Sequence, residues 1–249
     1  MVFTGNTDVA AALARWAEEK NARTFYDVMR RCSAGQLLYD VTGSDIRMEG
    51  STMQAGSKID IRSRTMDDGR QFLLVFTSDA EIARTHPEGT RTSSLVQSAL
   101  DAVQFGTGFA GLVLDAGAGA ASCIVDADEI RRGLPSGGGV ARELKEALAG
   151  PSLPGRREGT LEVLARTERV YVPMQRSGAD GGPAKPGESP MISVPTVSGP
   201  GGRTYSAAFT SPAEVWAWLP AAEAYPTTVA QAVRAALGQS EHAGLMINP

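Results

Sequence analysis

The segment Phe76-Thr77-Ser78-Asp79-Ala80-Glu81 decides the fold, because it returns 133 residues later as Phe209-Thr210-Ser211-Pro212-Ala213-Glu214. The same offset relates Ala110-Gly111-Leu112-Val113-Leu114 to Ala243-Gly244-Leu245-Met246-Ile247. Equal spacing at both places predicts that the offset holds without a gap between them. Similarity at a fixed period indicates repeated units of structure. The chain is therefore predicted to be a tandem duplication of one module.

Both copies show the same predicted order of elements. Helical periodicity leads into a β-rich run, then a turn-rich segment, two further strands, the repeated segment and another helix. In the first module these elements lie at 8–31, 36–41, 58–62 and 72–76; in the second they lie at 142–148, 161–164, 169–173, 191–195 and 205–209. The pattern predicts an α+β fold with two homologous, pseudo-symmetric modules. Each module is expected to contain a mixed or antiparallel β-sheet flanked by helices.

The expected boundaries follow from composition. Module 1 is predicted at 1–134, a Gly-rich linker at 135–139 and module 2 at 140–249. The segment 177–187 is predicted to be a mobile surface loop because its apolar content is too small to order it. Module 2 has no counterpart of 117–133, so we expect either that the native chain extends beyond Pro249 or that the second sheet lacks one strand.

The repeated segment is predicted to be a switch from strand to helix. Ser78 with Glu81, and Ser211 with Glu214, have the spacing of capping boxes, in which a serine oxygen and a glutamate carboxylate satisfy free amide donors. Pro212 follows Ser211 directly, where the first turn of a helix accepts proline. A second helix is predicted to begin near 92–94, and its copy carries apolar residues over 229–237.

Composition and charge favour a globular cytoplasmic protein. The net charge is −4, and the longest apolar run is far shorter than a membrane span. No secretory signal is visible, and nucleic-acid binding is not expected because clustered Lys and Arg supply most of that affinity. Cys32 and Cys123 have no cysteine counterparts in the second module, so we expect buried, reduced thiols and not a disulfide framework.

No catalytic, cofactor or metal site is expected. The two histidines, His86 and His242, correspond to Leu219 and Phe109, so neither belongs to a shared site. The sequence at 106–111 spells G-x-G-x-x-G, but it follows a predicted helix and enters a strand, which is the reverse of a dinucleotide loop. It is interpreted as a helix stop and a turn.

Two sets of residues remain as binding candidates. Trp216 and Trp218 have no aromatic counterparts in module 1, and aromatic side chains often anchor protein partners. Packing into the core is the simpler interpretation of both rings. The helix N-termini at Thr77 with Ser78, and at Thr210 with Ser211, are candidates for anion binding through free amides.

Both modules resemble the SseB amino-terminal domain family, also known for enhanced serine sensitivity. The resemblance rests on the F-T-S-x-A-E segment around Phe76 and Phe209, and on Gly244-Leu245-Met246-Ile247-Asn248-Pro249. Module 1 departs from it with Asp115-Ala116 in place of Asn-Pro. The resemblance implies a bacterial α+β domain, often in tandem copies, with no established catalytic activity.

Three functional hypotheses follow. The first is a non-enzymatic protein-interaction or scaffolding protein with a protein partner and no cofactor. The second is a small-molecule-binding or enzymatic protein with a site at the module interface. The third is a secretion-associated or immunity-type accessory role, which rests on family context alone.

Overall fold

The computed structural model describes residues 5–45, 47–49, 52–134, 143–145, 147–148, 156–178 and 189–249. The chain divides into two compact units, one formed by Met1–Thr24 with Arg31–Arg132 and the other by Phe25–Arg30 with Gly133–Pro249. The predicted linker at 135–139, and all but the start of the predicted loop at 177–187, lie outside the described residues.

The first half of the chain contains five helices among its described residues. The elements are α1 (Thr7–Glu18), α2 (Ala22–Arg31), β1 (Gln36–Asp40), β2 (Met48–Glu49), β3 (Thr52–Met53), β4 (Ser63–Thr65), β5 (Gln71–Phe76), α3 (Asp79–Ala83), β6 (Ser94–Ser98), α4 (Ala99–Phe105), β7 (Gly111–Leu114), β8 (Cys123–Asp126) and α5 (Ala127–Gly133). Single 3-10 turns lie at Gly106–Gly108 and Gly119–Ala121.

The sheet of the first unit has the strand order β6-β1-β5-β7-β8, and β4 also pairs with β5. Only β5 and β7 are parallel in this sheet; its other pairs are antiparallel. A buried cluster packs against it through Leu38, Phe72, Phe76, Ile82 and Val113. The mixed sheet and its helices confirm the predicted α+β class.

The second half of the chain repeats this plan. Its elements are α6 (Arg156–Arg166), β9 (Val170–Ser177), β10 (Met191–Ser193), β11 (Thr196–Ser198), a 3-10 turn (Pro200–Gly202), β12 (Thr204–Ala208), α7 (Pro212–Trp218), β13 (Glu223–Thr227), α8 (Val229–Leu237) and β14 (His242–Ile247). The strands form two sets, β10-β9-β13 and β11-β12-β14, joined by a bridge between Tyr171 and Phe209. As with β5 and β7, the pair β12 and β14 is parallel.

The prediction of an offset without a gap was wrong in one stretch. Gln97 pairs with Leu37 in β1, whereas Thr227 pairs with Val170 in β9. These strand positions are therefore 130 residues apart, although the strands that they pair with keep the offset of 133. The connection before β13 is three residues shorter than its counterpart, and the connection from β13 to β14 is three residues longer.

The start predicted for the second helix, near 92–94, was also wrong, because Ser94–Ser98 form the strand β6 and the helix, α4, begins at Ala99. This strand pairs along all five of its residues with β1. Ser98 then caps α4, accepting a hydrogen bond from the amide of Asp101 at 3.2 Å. Apolar residues spaced for a helix thus lie partly on a strand, since pairing with a distant segment overrides local periodicity.

The strand predicted at 58–62 is observed only in its second-module copy, as β10. In the first unit this segment forms one isolated bridge, between Lys58 and Asp45. The amide of Asp60 donates instead to the hydroxyl of Ser44 at 2.9 Å, and the amide of Arg62 donates to the carbonyl of Asp40 at 3.0 Å. A hydrogen bond from a backbone amide to a side chain, such as that of Asp60 to Ser44, competes with a regular ladder.

Candidate functional site

The carboxyl ends of the parallel strands β5 and β7 bring Thr77 and Asp115 together. The backbone amide of Thr77 donates to Oδ1 of Asp115 at 2.8 Å, and its hydroxyl donates to Oδ2 at 2.7 Å. Both residues are buried. Ligands of open α/β sheets commonly bind outside the carboxyl ends of parallel strands. This junction is therefore a candidate ligand site.

The second unit repeats the junction with Thr210 and Asn248. The amide of Thr210 donates to Oδ1 of Asn248 at 3.0 Å, and Nδ2 of Asn248 donates to the hydroxyl of Thr210 at 3.0 Å. Asp115 and Asn248 have φ values of 47° and 49°, and no other described non-glycine residue has a positive φ. Asp and Asn tolerate this left-handed region better than other L residues.

Sequence reasoning treated Asp115 as a departure from the family pattern, but the structure gives it the geometry of Asn248. The signal was present, since the 133-residue offset aligns the two positions. The two side chains differ in protonation chemistry. Burial raises the pKa of Asp115 to about 6, although the hydrogen bonds from Thr77 lower it and the charge of Glu81 adds a smaller increase.

The candidate anion sites lie at these same junctions. The amides of Thr77 and Thr210 donate to Asp115 and Asn248, so each junction already holds an acceptor from its own chain. The hydroxyls of Ser78 and Ser211 accept hydrogen bonds from the amides of Glu81 and Glu214, at 3.4 and 3.3 Å. Anion binding at these four residues remains a prediction, with fewer donors to support it than the sequence suggested.

The two predicted capping boxes are observed only in part. The serine oxygens cap α3 and α7 as expected, but the carboxylates of Glu81 and Glu214 contact the cationic side chains of Arg84 and Lys145. A complete capping box is formed instead by Thr228 and Gln231 at the start of α8. The spacing that predicts a capping box therefore located the serine caps and misassigned the role of the carboxylates.

Glu214 lies in an ion-pair cluster of the second unit. Its carboxylate lies 2.6 Å from Nζ of Lys145 and 3.3 Å from Nη1 of Arg30, and Asp27 also pairs with Arg30. The side chains of Lys145 and Glu214 are each only 8% exposed. A pair removed from water to this degree needs such hydrogen bonds to compensate for desolvation.

The counterpart Glu81 is held differently in the first unit. Its Oε1 contacts Nη1 of Arg84 at 2.6 Å. Its Oε2 is buried and has no hydrogen-bond partner among the residues that the structure describes. The position aligned with Lys145 is Ala12, which is buried and apolar. Within the described ranges, the glutamate that a capping motif places in both modules thus has a buried cation beside it in only one.

A second polar cluster joins Asp40, Arg62 and His86 in the first unit. Oδ2 of the fully buried Asp40 lies 2.7 Å from Nε2 of His86 and 3.3 Å from Nη1 of Arg62. Burial would raise the pKa of Asp40, but hydrogen bonds from Thr42, His86 and Arg62 outweigh it and hold that pKa below its ordinary value. No role for His86 could be predicted from the sequence, because its partners are distant along the chain.

Trp216 and Trp218 are both half-buried on α7 and pack against the core of the second unit. The ring of Trp216 lies 4.9 Å from that of Tyr26, and its indole N–H donates to the carbonyl of Ala222 at 3.2 Å. The ring of Trp218 lies 5.5 Å from that of Phe209. Each indole therefore stabilises the fold and retains a solvent-facing part.

The first unit contains an open cleft of about 360 Å³. Its lining combines aromatic, aliphatic, amide and carboxylate groups: Tyr39, Ile61, Gln97, Asp101, Gln104 and Phe105. The rings of Tyr39 and Phe105 lie 5.9 Å apart, and Phe105 is half-exposed. Burial, with a smaller contribution from Asp101, raises the pKa of Tyr39 to about 12, so its hydroxyl remains protonated.

Other chemistry has little support among the described residues. No group of three or more His, Cys, Asp or Glu side chains in the described ranges could hold a metal ion. Cys32 and Cys123 are buried free thiols, and burial raises the pKa of Cys123 to about 12, which keeps it protonated. None of the described helices has the length and apolar content to cross a membrane.

Comparison with known proteins places the repeat in a family. The model of the SseB protein N-terminal domain matches residues 9–132 and again residues 142–249. No curated protein and no solved structure gives a significant match. The two matches agree with the tandem duplication and with the two junctions, Thr77 with Asp115 and Thr210 with Asn248. The chain therefore belongs to the SseB N-terminal domain family and carries two copies of that domain.

Proposed function

We propose that the chain is a non-enzymatic protein-interaction protein, and that it binds an extended segment of a partner protein along β10 of the second unit. The observation that carries this proposal is the exposure of consecutive apolar residues on a strand. Met191 and Ile192 are 60% and 56% exposed, and Val194, just after the strand, is 48% exposed. Successive strand residues point to opposite faces, so β10 is uncovered on both.

The first module handles the matching positions differently. Lys58, Asp60 and Arg62 occupy the positions of Met191, Ser193 and Pro195. Charged side chains on a strand edge discourage pairing with another chain, whereas an uncharged apolar edge invites it. The second module thus lacks these charges in the segment that forms the strand β10.

The pairing of β10 favours strand addition as the mode of binding. Its register with β9 joins Ile192 to Arg176, and no described strand pairs with its other edge. A partner strand on that edge would gain main-chain hydrogen bonds and contacts with alternate side chains. On the same face, Arg176 forms an ion pair with Glu223 at 3.0 Å, and the half-exposed Tyr225 follows on β13.

The experiment compares the wild-type protein with Ile192→Lys. Tagged protein is crosslinked in its native host and purified, and captured proteins are quantified by mass spectrometry. Leu161→Lys is the matched control because Leu161 is 53% exposed on α6 of the same unit. We expect one partner to be retained by the control and reduced about tenfold or more by Ile192→Lys, as for an interface hot spot. Equal capture by all three proteins would reject β10 as the binding edge.

Trp216 and Trp218 remain proposed anchors for a partner. Both rings also pack in the core, so replacement by Ala removes packing together with any contact surface. Loss of a partner is informative only if thermal unfolding shows that the variant is still folded. Partner binding that persists in folded Trp216→Ala and Trp218→Ala proteins would remove the two indoles from the interface.

A second candidate function, small-molecule binding, rests on the cleft of the first unit. One carboxylate, Asp101, lies there beside the Tyr39 and Phe105 rings, which suits a small amine with an apolar body. A panel of such amines should raise the melting temperature, since a ligand at 100 times its Kd adds roughly 2.7 kcal/mol to stability. Asp101→Asn should remove the shift, and Asp128→Asn, at an aspartate whose side chain is 94% exposed, should retain it. An unchanged melting temperature across the panel would reject the cleft as an amine site.

A further inference from the structure

Strand β14 has a different environment from its counterpart β7. In the first unit, β7 lies between β5 and β8. In the second unit, β14 pairs with β12, and no other strand within the described ranges pairs with it. Accordingly Leu112, Val113 and Leu114 are at most 2% exposed, whereas the aligned residues of β14 are half-buried. Among the described strands, one edge of β14, its open edge, is therefore unpaired where β7 has a neighbour.

Two aligned glycines show that the backbone of β14 has the same conformation as that of β7, which has β8 beside it. Gly111 and Gly244 have φ values of 148° and 149°, a conformation that is essentially restricted to glycine. A Cβ on Gly111 would collide with the carbonyl oxygen of Val125 in β8. Among the described residues, a Cβ on Gly244 would meet only the ring of Tyr205, 3.9 Å away. The backbone shape that admits a strand beside β7 is therefore repeated at β14, with space beside it.

The hydrogen-bonding groups of β14 alternate between its two edges. The amide of Asn248 donates to the carbonyl of Ala208 at 2.9 Å, toward β12. Because neighbouring amides on a strand point to opposite sides, those of Leu245 and Ile247 point to the open edge. Their counterparts Leu112 and Leu114 are the residues that pair with Val125 and Cys123 of β8.

We propose that a second copy of this chain occupies the open edge, with its β14 antiparallel to the first about a two-fold axis. Two-fold symmetry brings identical strands together antiparallel, which is the direction of β8 beside β7. In this register, Leu245 lies opposite Ile247 of the second copy, and Met246 lies opposite Met246 of the second copy. Apolar side chains then meet on the face where β7 meets Val125 and Cys123.

The sequence of β14 is compatible with self-pairing. Strand edges are commonly protected from such pairing by charged residues or proline. His242–Ile247 contains no Asp, Glu, Lys, Arg or Pro. The half-buried Leu245 and Ile247 also pack against the buried Val170, Ala208 and Ala232. A second copy would extend this apolar layer across the axis.

Sedimentation velocity of the full chain tests the proposal with paired charge variants. The wild type is expected to sediment as a dimer at micromolar concentration. Met246→Lys and Met246→Glu each place like charges opposite one another and are expected to sediment as monomers. An equimolar mixture should recover the dimer, because Lys then faces Glu. Leu237→Lys, at a residue of α8 that is 72% exposed, is the control and should remain dimeric.

Backbone amide exchange followed by NMR provides the second measurement. In the wild type, the amides of Leu245 and Ile247 are expected to exchange slowly and to lose protection on dilution, whereas those of Leu112 and Leu114 stay protected. A wild type that is monomeric at every concentration overturns the proposal. So does a dimer that survives Met246→Lys, a mixture that stays monomeric, or protection of Leu245 and Ile247 in a monomer, which would show that the chain covers its own edge.

Discussion

Asp115 accepts hydrogen bonds from both the amide and the hydroxyl of Thr77, at 2.8 and 2.7 Å, so that the end of β7 is tied to the start of α3. Asn248 makes the same connection to Thr210 but reverses the role of the hydroxyl, which accepts from Nδ2. One junction is therefore titratable and the other is not. This difference makes the stability of the first unit dependent on pH.

The sign of that dependence follows from the raised pKa. Asp115 has a pKa of about 6 in the folded state and near the ordinary aspartate pKa of 3.8 when unfolded, so the folded state binds more protons between these values. Stability therefore falls as the pH rises from about 4 to 6. At about 1.4 kcal/mol per pKa unit, the loss is about 3 kcal/mol at most.

Asp115→Asn should remove this loss. The amide can adopt the arrangement of Asn248, in which no charge is buried, so we expect greater stability at pH 7 and a flatter profile between pH 4 and 6. Urea unfolding at a series of pH values measures both. Asn248→Asp is the matched variant and should lower stability at neutral pH. If Asp115→Asn destabilised the protein at pH 7, the ionised carboxylate would be shown to stabilise the junction.

The cluster around Asp40 has the opposite sign. Its lowered pKa means that the ionised form stabilises the fold, and this contribution is lost as the pH falls through the folded pKa, below the ordinary value for aspartate. His86→Leu introduces the residue that the second module has at this position. We expect a cost of about 1–3 kcal/mol, because a buried acceptor loses one donor.

Asp40→Asn tests the same cluster from the other side. It leaves His86 and Arg62 without a carboxylate, so the part of the acid sensitivity that comes from Asp40 should disappear. Acid titration of the circular dichroism signal compares both variants with the wild type. Asp45→Asn, at an exposed carboxylate, is the control. An unchanged acid midpoint in Asp40→Asn would exclude this group from acid unfolding.

Contacts between residues close together along the chain could be predicted from the sequence, and contacts between distant residues could not. The serine caps Ser78 and Ser211 were predictable because each bonds an amide three residues away. The partner of Glu214 on α2, Arg30, is 184 residues away, and His86 is 46 residues from Asp40. Local pattern cannot reveal such contacts. It fails in the same way at β6, where apolar spacing fits a helix and pairing with β1 decides the outcome.

The repeat also conceals differences at aligned positions. Asp115 and Asn248 are different residue types at aligned positions, but they have the same geometry in the structure. Glu81 and Glu214 look identical in sequence and have different surroundings. The backbone role is common to both members of each pair, whereas the packing around it depends on residues elsewhere, such as Ala12 and Lys145. The periodicity therefore predicted the architecture, whereas the interactions specific to each module depend on contacts between residues that are distant along the chain.

Glu81 and Glu214 supply the final prediction, because one substitution at aligned positions should give opposite results. Glu81→Leu removes a buried oxygen that has no described partner and should be neutral or stabilising. Glu214→Leu removes the carboxylate that lies 2.6 Å from the buried ammonium of Lys145 and should cost about 3–5 kcal/mol. Adding Lys145→Met to Glu214→Leu should recover much of that loss, since both members of the buried ion pair are then apolar. Chemical denaturation of the four proteins, including the wild type, measures these differences, and equal losses for both single variants would show that only the shared helix position matters.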